Sequence, residues 1–297
     1  MPEPRSAPTV GQIILGVRLR QLREQAGCSF ADAAGALSVN TATVRRMEKA
    51  EVALKPPYVE KLLRSYGVDE EQAASFLAHV EQANRPGWWH EFRDVLSAWS
   101  SRYLGLEQAA SLIRSYASHC VPALLQTPEY ARALLAAAHP HAGARELERR
   151  VELWTRRRAL LERPVTGGPG TERTRPTRLW TVLDEQVLLR RVGDAHVMRK
   201  QLEHLEEVCR TQPNVTVQIV RLATGAHPAM YGPFQLLRFE LPELPDVVYA
   251  ETLIGADYVD QRRETAAFLE ALDRLSALAE PAHETPALVR EAAQRGW

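Results

Sequence analysis

Apolar positions recur at helical spacing through the first quarter of the chain. Leu15, Leu19, Leu22 and Ala26 follow one another at intervals of 4, 3 and 4. That stripe predicts an amphipathic helix over about 12–26, with Arg18, Arg20 and Arg23 off the stripe and free for solvent or phosphate. Gly27 is placed to end it as a C-cap. Ser29 and Asp32 have the spacing of a capping box, with Asp in place of the usual Glu, so a second helix starts after Ser29. Ala34 is small where two helices must approach, and Val39 is apolar where a turn must close. Asn40 is an N-cap for a third helix, because its side-chain oxygen satisfies a backbone N–H that has no partner inside the helix. Val44 and Met47 share one face of that helix. Pro56-Pro57 permit a fourth, with Val59, Leu62, Leu63 and Tyr66 inward, and Asp69 caps a fifth, with Ala73, Phe76, Leu77 and Val80 inward.

The helical pattern continues over 93–98 and 106–117. Thr127 caps a helix that Pro128 begins, and Leu147, Val151, Trp154 and Leu161 stripe a strongly basic helix over 146–163. The arginines of that helix could touch DNA; the commoner reading is a solvated face paired with Glu146, Glu148 and Glu152. Residues 164–177, rich in Gly, Pro and Thr, read as a disordered loop. Only after it do short runs of β-branched, aromatic and leucine residues predict strands, over 179–183, 215–222, 234–239 and 247–252. Helices near 185–191 and 195–210 separate the first two, a crossover that makes them parallel. LPELP joins the last two as a hairpin, placed at a sheet edge by Pro242 and Pro245. A further helix is expected over 257–279 and a short one after His283. The expected fold is multidomain and mainly α. A flexible tail, 1–11, precedes a five-helix bundle over 12–84, and an α+β domain with a small mixed sheet follows over 85–297.

The 297 residues carry 37 Lys+Arg and 37 Asp+Glu, so the chain is neutral and is no general nucleic-acid coat protein. Locally, residues 12–66 hold nine basic against five acidic residues, the sign a DNA-facing surface needs. Cys28, Cys120 and Cys209 are scattered and odd in number, which fits free thiols in a reducing cytoplasm and offers no zinc set. MPEPRSAPTVGQ lacks the apolar core of a signal peptide, and no run of 18 apolar residues occurs. The expectation is a cytoplasmic protein, nucleoid-associated when bound to DNA, with no membrane partner.

The third helix carries the candidate chemistry. Its back is apolar, and Thr41, Ala42, Arg45 and Arg46 are left on its front, a combination suited to the DNA major groove. Two short helices joined by a turn also occur in many helical proteins that bind no DNA. The surrounding residues favour the groove. LRQLREQAGCSFADAAGALSVNTATVRRMEKAEV resembles the Xre family of helix-turn-helix regulators, the lambda-repressor-like fold. The family's opening appears as Leu19, Arg20, Arg23, Glu24 and Gly27, and its closing pattern as Val44, Arg46, Met47 and Glu48. Phe30 replaces a Gln that anchors the second helix to DNA in relatives, Ala33 a Leu, and Ala50 a Gly. By the docking usual for that fold, Thr41, Ala42 and Arg46 face base edges with Asn40 and Thr43 alongside. Arg45, Lys49, Lys55 and the Ser29 hydroxyl are expected on phosphates. A single such module buries little surface, so a homodimer on double-stranded DNA is expected.

In the second half, VPALLQTPEYARALL, LWTVLDEQVLLRRVG, VMRKQLEHL, PNVTVQIV and GPFQLLRFE resemble motifs of an uncharacterised domain. It follows the helix-turn-helix in actinobacterial regulators of the WhiJ type. Ala123 stands where those relatives have Gly and Arg158 where they often have Gln. Together the two resemblances cover about 12–280. The second implies a small partner protein or a signal, and no catalytic assignment, cofactor or metal. No phosphate-binding glycine loop, zinc-protease motif or nucleophile turn occurs. His139 and His141 are a weak metal pair, with an exposed loop as the default. Asp184, Glu185 and Glu251 at strand ends are open to catalysis, but capping or hydrogen bonding is the commoner role of such carboxylates. His227 and Tyr231 lie in a loop that could line a pocket. Trp88-Trp89 could be a base-stacking platform, although packed aromatics are commoner. The expected function is a sequence-specific transcriptional regulator and not an enzyme. Its second domain would serve dimerisation, partner binding or sensing. The alternatives are an antitoxin-like adaptor working with a small partner protein and an enzyme built on the second domain.

Overall fold

Thr9 opens the first helix, α1 (Val10–Gln25), earlier than its apolar stripe predicts. The Thr9 hydroxyl accepts from the Gln12 N–H at 3.2 Å, and the Gln12 side chain accepts from the Thr9 N–H at 3.0 Å. This reciprocal box satisfies two backbone groups at once. The computed structural model describes residues 9–84, 87–97, 99–162, 176–240 and 244–295. Most of the expected tail and of the expected loop over 164–177 lies outside them, as does Pro242 of the expected hairpin. Thr177, counted in that loop, is fully buried, and its N–H donates to the Leu160 carbonyl at 2.9 Å.

The chain forms two compact units, dividing between Ala109 and Ala110. In the first, α1 is followed by α2 (Phe30–Leu37), α3 (Thr41–Glu48), α4 (Pro56–Ser65) and α5 (Glu70–Ala83). α1 ends as the sequence expects: Gly27 takes φ +66°, its N–H reaches the Glu24 carbonyl, and the Cys28 N–H reaches that of Arg23. Asp69 caps α5, accepting from the Gln72 N–H at 2.8 Å. Leu19, Val44, Leu54, Val59, Leu62 and Leu63 are wholly buried in one core that Leu15, Met47, Phe76 and Val80 complete. Gly16 lets α1 press against the end of α3, because a Cβ there would lie 2.6 Å from the Glu48 carbonyl oxygen.

Residues beyond the border expected at 84 also group with this unit. A 3-10 turn, Trp88–Phe92, packs its aromatics edge to face, with Trp89 and Phe92 buried. α6 (Ser100–Ala109) follows.

The second unit is built on a six-stranded mixed sheet. In chain order its elements are β1 (Leu112–Ala117), α7 (Pro128–Ala138), α8 (Ala144–Arg157), α9 (Ala159–Glu162), β2 (Arg178–Asp184) and α10 (Gln186–Leu189). Then come α11 (Ala195–Thr211), β3 (Val215–Val220), β4 (Phe234–Arg238), β5 (Val247–Glu251), β6 (Ala256–Val259), α12 (Arg262–Leu278) and α13 (Thr285–Gln294). The sheet order is β3-β2-β1-β4-β5-β6. β1 to β3 are parallel, as the crossover requires, and β4 to β6 alternate in direction.

Residues 93–97 form a turn and coil, not the helix expected over 93–98, and three further expectations fail here. The 106–117 stretch is not one helix: α6 stops at Ala109, and 112–117 is the strand between β2 and β4. Its Arg114 and Ser115 are buried, which hides the apolar signal of a strand. They are tolerated because each is paired: Arg114 donates to Asp273 at 2.6 Å and lies over the Trp180 ring, and Ser115 donates to Thr181 at 2.8 Å. The helix expected over 257–279 begins only at Arg262, and its first residues form β6. β6 therefore takes the edge position expected of the β4–β5 hairpin. On one face of the sheet, Tyr116, Val182, Leu236 and Val248 pack against Leu272 and Leu275 of α12. On the basic helix, Glu146 pairs with Arg150, and Glu148 pairs with Arg132 of α7.

Candidate nucleic-acid interface

α2 and α3 are set by their caps. At the start of α2, Ser29 accepts from the Asp32 N–H at 3.2 Å, while Asp32 accepts from the Ser29 N–H at 2.8 Å and from its hydroxyl at 2.7 Å. These bonds hold the Asp32 carboxyl below its ordinary range. The Ser29 hydroxyl thus donates to the Asp32 carboxylate at 2.7 Å. At the start of α3, the Asn40 side-chain oxygen accepts from the Thr43 N–H at 2.8 Å and from the Thr43 hydroxyl at 2.9 Å. Between the helices Ser38 takes φ +55°, a left-handed turn made by a residue other than glycine.

α3 has a sharply divided surface. Val44 and Met47 are 0% and 1% exposed, whereas Thr41, Ala42, Arg45 and Lys49 are open to solvent. Thr43 and Arg46 are half-buried. The Arg46 guanidinium lies 3.9 Å from the exposed Glu51 carboxylate, a loose contact that costs little to give up. Lys55 is exposed at the start of α4, its Nζ 5.6 Å from the Tyr58 ring. Seven of the nine expected contact residues thus lie along α3 and its cap, with Lys55 and Ser29 on neighbouring elements.

Sequence reasoning missed the groups that hold this surface. Arg23, expected free, is buried: its Nε and Nη2 donate to the two Glu48 oxygens at 2.7 and 3.0 Å, and its Nη1 donates to the Cys28 carbonyl at 3.1 Å. The hydrogen bond to Glu48 raises the Arg23 pKa further. Phe30 lies between two cations, its ring centroid 4.0 Å from the Arg23 guanidinium carbon and 4.8 Å from that of Arg45. The Phe30 ring is thus in cation–π contact with the buried Arg23 and with the surface Arg45. The only sequence signal was that Arg23, Phe30 and Glu48 are motif positions. Ala50 takes φ +53° and is buried.

The chemically interesting groups of the second unit form a buried knot. Tyr116 donates to Asp184 at 3.0 Å and meets His227 Nε2 at 3.3 Å; Asp184 also accepts from the Gln186 N–H at 3.0 Å. Burial, and then the Asp184 charge, pushes the Tyr116 phenol up. His227 and Tyr231 do not converge on a pocket, because the His227 side chain is 5% exposed while Tyr231 is fully exposed. Asp184 ends β2 and accepts from the Gln186 N–H, but the N-cap of α10 is Glu185, with no side-chain cap bond. Burial raises the Cys120 thiol and pushes that of Cys209 up to about 12, which disfavours the thiolate of each at neutral pH. Among the described residues, no group of three or more His, Cys, Asp and Glu could hold a metal ion, and no helix is long and apolar enough to cross a membrane.

Comparison with known families matches both units. Residues 14–76 match a family model described as a helix-turn-helix domain, and residues 100–291 match one described as a domain of unknown function (DUF5753). No curated protein and no solved structure shows significant similarity to the chain.

Proposed function

Because this chain belongs to the DUF5753 family and carries a helix-turn-helix domain towards its amino end, we infer that it is a sequence-specific transcriptional regulator of double-stranded DNA. The finer reading is an Xre-type, lambda-repressor-like DNA-binding domain over about 12–84. A second domain like that of WhiJ-type actinobacterial regulators serves dimerisation, partner binding or sensing. The protein acts in the cytoplasm as a homodimer, with a small partner protein as a further ligand. One observation carries the reading: α3 anchors Val44 and Met47 in the core and leaves Thr41, Ala42, Arg45 and Lys49 in solvent. A helix N-terminus with small, polar and basic residues outward is what the major groove accepts.

In this reading Arg46 reads a guanine through O6 and N7, and the Thr41 and Ala42 methyl groups contact thymine methyls. Asn40 and Thr43 face the same bases. Arg45, Lys49 and Lys55 hold phosphates and set the orientation. The Ser29 hydroxyl, which also caps α2, is placed beside them.

Selection of bound sites from a random duplex library tests the reading. A palindromic consensus with half-sites about one helical turn apart is expected. Failure to enrich any sequence, with a small protein recovered on the purified chain instead, overturns it in favour of the adaptor.

A further inference from the structure

The strands of the second unit present one end to a set of turns with apolar tips. β1, β2, β3 and β5 finish at this end, and β4 and β6 begin there, as the register pairs Tyr116 with Phe234, Asp184 with Val220 and Glu251 with Ala256. The turns above these ends carry most of the exposed large apolar side chains of the described residues. Leu222 follows β3, Met230 and Tyr231 precede β4, and Leu253 and Ile254 lie between β5 and β6. Tyr231 is 104% exposed, Leu253 96% and Ile254 85%.

These turns are pinned in place. The Leu222 N–H donates to Glu185 at 2.9 Å, and Arg221 pairs with the same carboxylate at 3.4 Å. The Ala229 N–H donates to His227 Nδ1 at 3.3 Å, over the knot of Tyr116 and Asp184. The Thr252 N–H donates to the Gly255 carbonyl at 2.8 Å. Apolar tips held this way lose little conformational entropy when covered.

We propose that this crest is the surface through which two copies of the chain dimerise. Two observations choose a second copy as the occupant. The first is charge. Residues 222–233 and 252–255 contain no Asp, Glu, Lys or Arg. A two-fold interface lays a patch against itself, so like charges would oppose one another; the apolar tips themselves carry none, Arg221 beside them is paired with Glu185, and Glu251 and Asp257 flank the 252–255 turn. The second is area. Scaled by exposure, at roughly 150–200 Å² for a large side chain, the five residues present on the order of 600–800 Å². A standard interface takes about 800 Å² from each partner. The inference rests on the regulator reading in one respect: a module that reads half-sites needs a second copy.

Sedimentation velocity on the full chain tests it, with the parent beside Tyr231→Lys and Ile254→Lys. Both positions are exposed, so both variants should keep the parent's circular dichroism and thermal midpoint. The expected result is a dimeric parent and, in each variant, a dimer dissociation constant raised by about tenfold or more. A parent that stays monomeric overturns the proposal, and so do variants as dimeric as the parent. A duplex carrying the selected site separates the two ideas. If the parent binds it and the variants remain dimeric, the crest is wrong and the regulator reading stands. If the parent dimerises through the crest but selects no site, the crest stands and the regulator reading falls.

Discussion

Arg23 on α1 and Glu48 at the end of α3 share a two-pronged ion pair, 2.7 and 3.0 Å, with side chains 7% and 3% exposed. It joins the first helix of the bundle to the last turn of the helix proposed to enter the groove. Burying two charges is costly, and mutual attraction with well-aimed hydrogen bonds offsets the cost. Removing one partner leaves the other charged and stranded. Arg23→Ala or Glu48→Ala is expected to lower the stability of the first unit by about 3–5 kcal/mol. Replacing both by apolar residues of similar volume should cost far less. Urea unfolding of the two single variants and the double variant checks this; equal, additive losses would show that the pair is not coupled.

Ser38 and Ala50 both have positive φ, and they should respond differently to glycine. Ser38 is exposed, so Ser38→Gly relieves strain and loses no packing. An increase in stability of about 0.5–1 kcal/mol is expected, the left-handed penalty less the added chain entropy. Ala50 is buried, so Ala50→Gly gives up a methyl contact worth about 0.8 kcal/mol and should come out near neutral. Urea midpoints of the two variants decide it.

Much of this bundle was legible in the sequence because its elements are set by neighbours in the chain. The Ser29–Asp32 box, the Asn40 cap, the Gly27 end of α1 and the Asp69 cap of α5 each act over about one turn. The two faces of α3 follow from a period of 3.6 residues in the same way. What was missed lies between distant residues. Arg23 and Glu48 are 25 positions apart, and no spacing rule connects them. β1 was hidden by Arg114 and Ser115, whose partners come from α12 and β2. β6 is only Ala256–Val259, too short for an alternation to register ahead of the α12 pattern.

The α2 cap sets a pH dependence. Hydrogen bonds from Ser29 depress the folded Asp32 pKa below its ordinary value of 3.8. A depressed carboxylate stabilises the folded state above its unfolded pKa, and the contribution is lost as pH falls through the lower folded value. Asp32→Asn is therefore expected to lower the thermal midpoint at pH 7 and to converge on the parent in strong acid. A constant gap across a titration from pH 7 to strong acid would contradict it.

Phosphate and base contacts should separate by salt. Lys49→Ala is expected to weaken binding to every duplex alike and to reduce the slope of log K against log salt by about 0.9. Arg46→Ala should cost about 1–3 kcal/mol on the selected site and relax the choice at one position. Anisotropy titrations at several salt concentrations, on selected and scrambled duplexes, distinguish the two.

The most direct measurement removes from the DNA the guanine N7 that Arg46 is proposed to contact. Each guanine of the selected half-site is replaced in turn by 7-deazaguanine, and affinity is measured for the parent and for Arg46→Ala. One guanine should cost the parent affinity and cost the variant nothing further, because the contact is already gone. If every guanine replacement costs the two proteins the same, Arg46 does not read a base edge, and the placement of α3 in the major groove is contradicted.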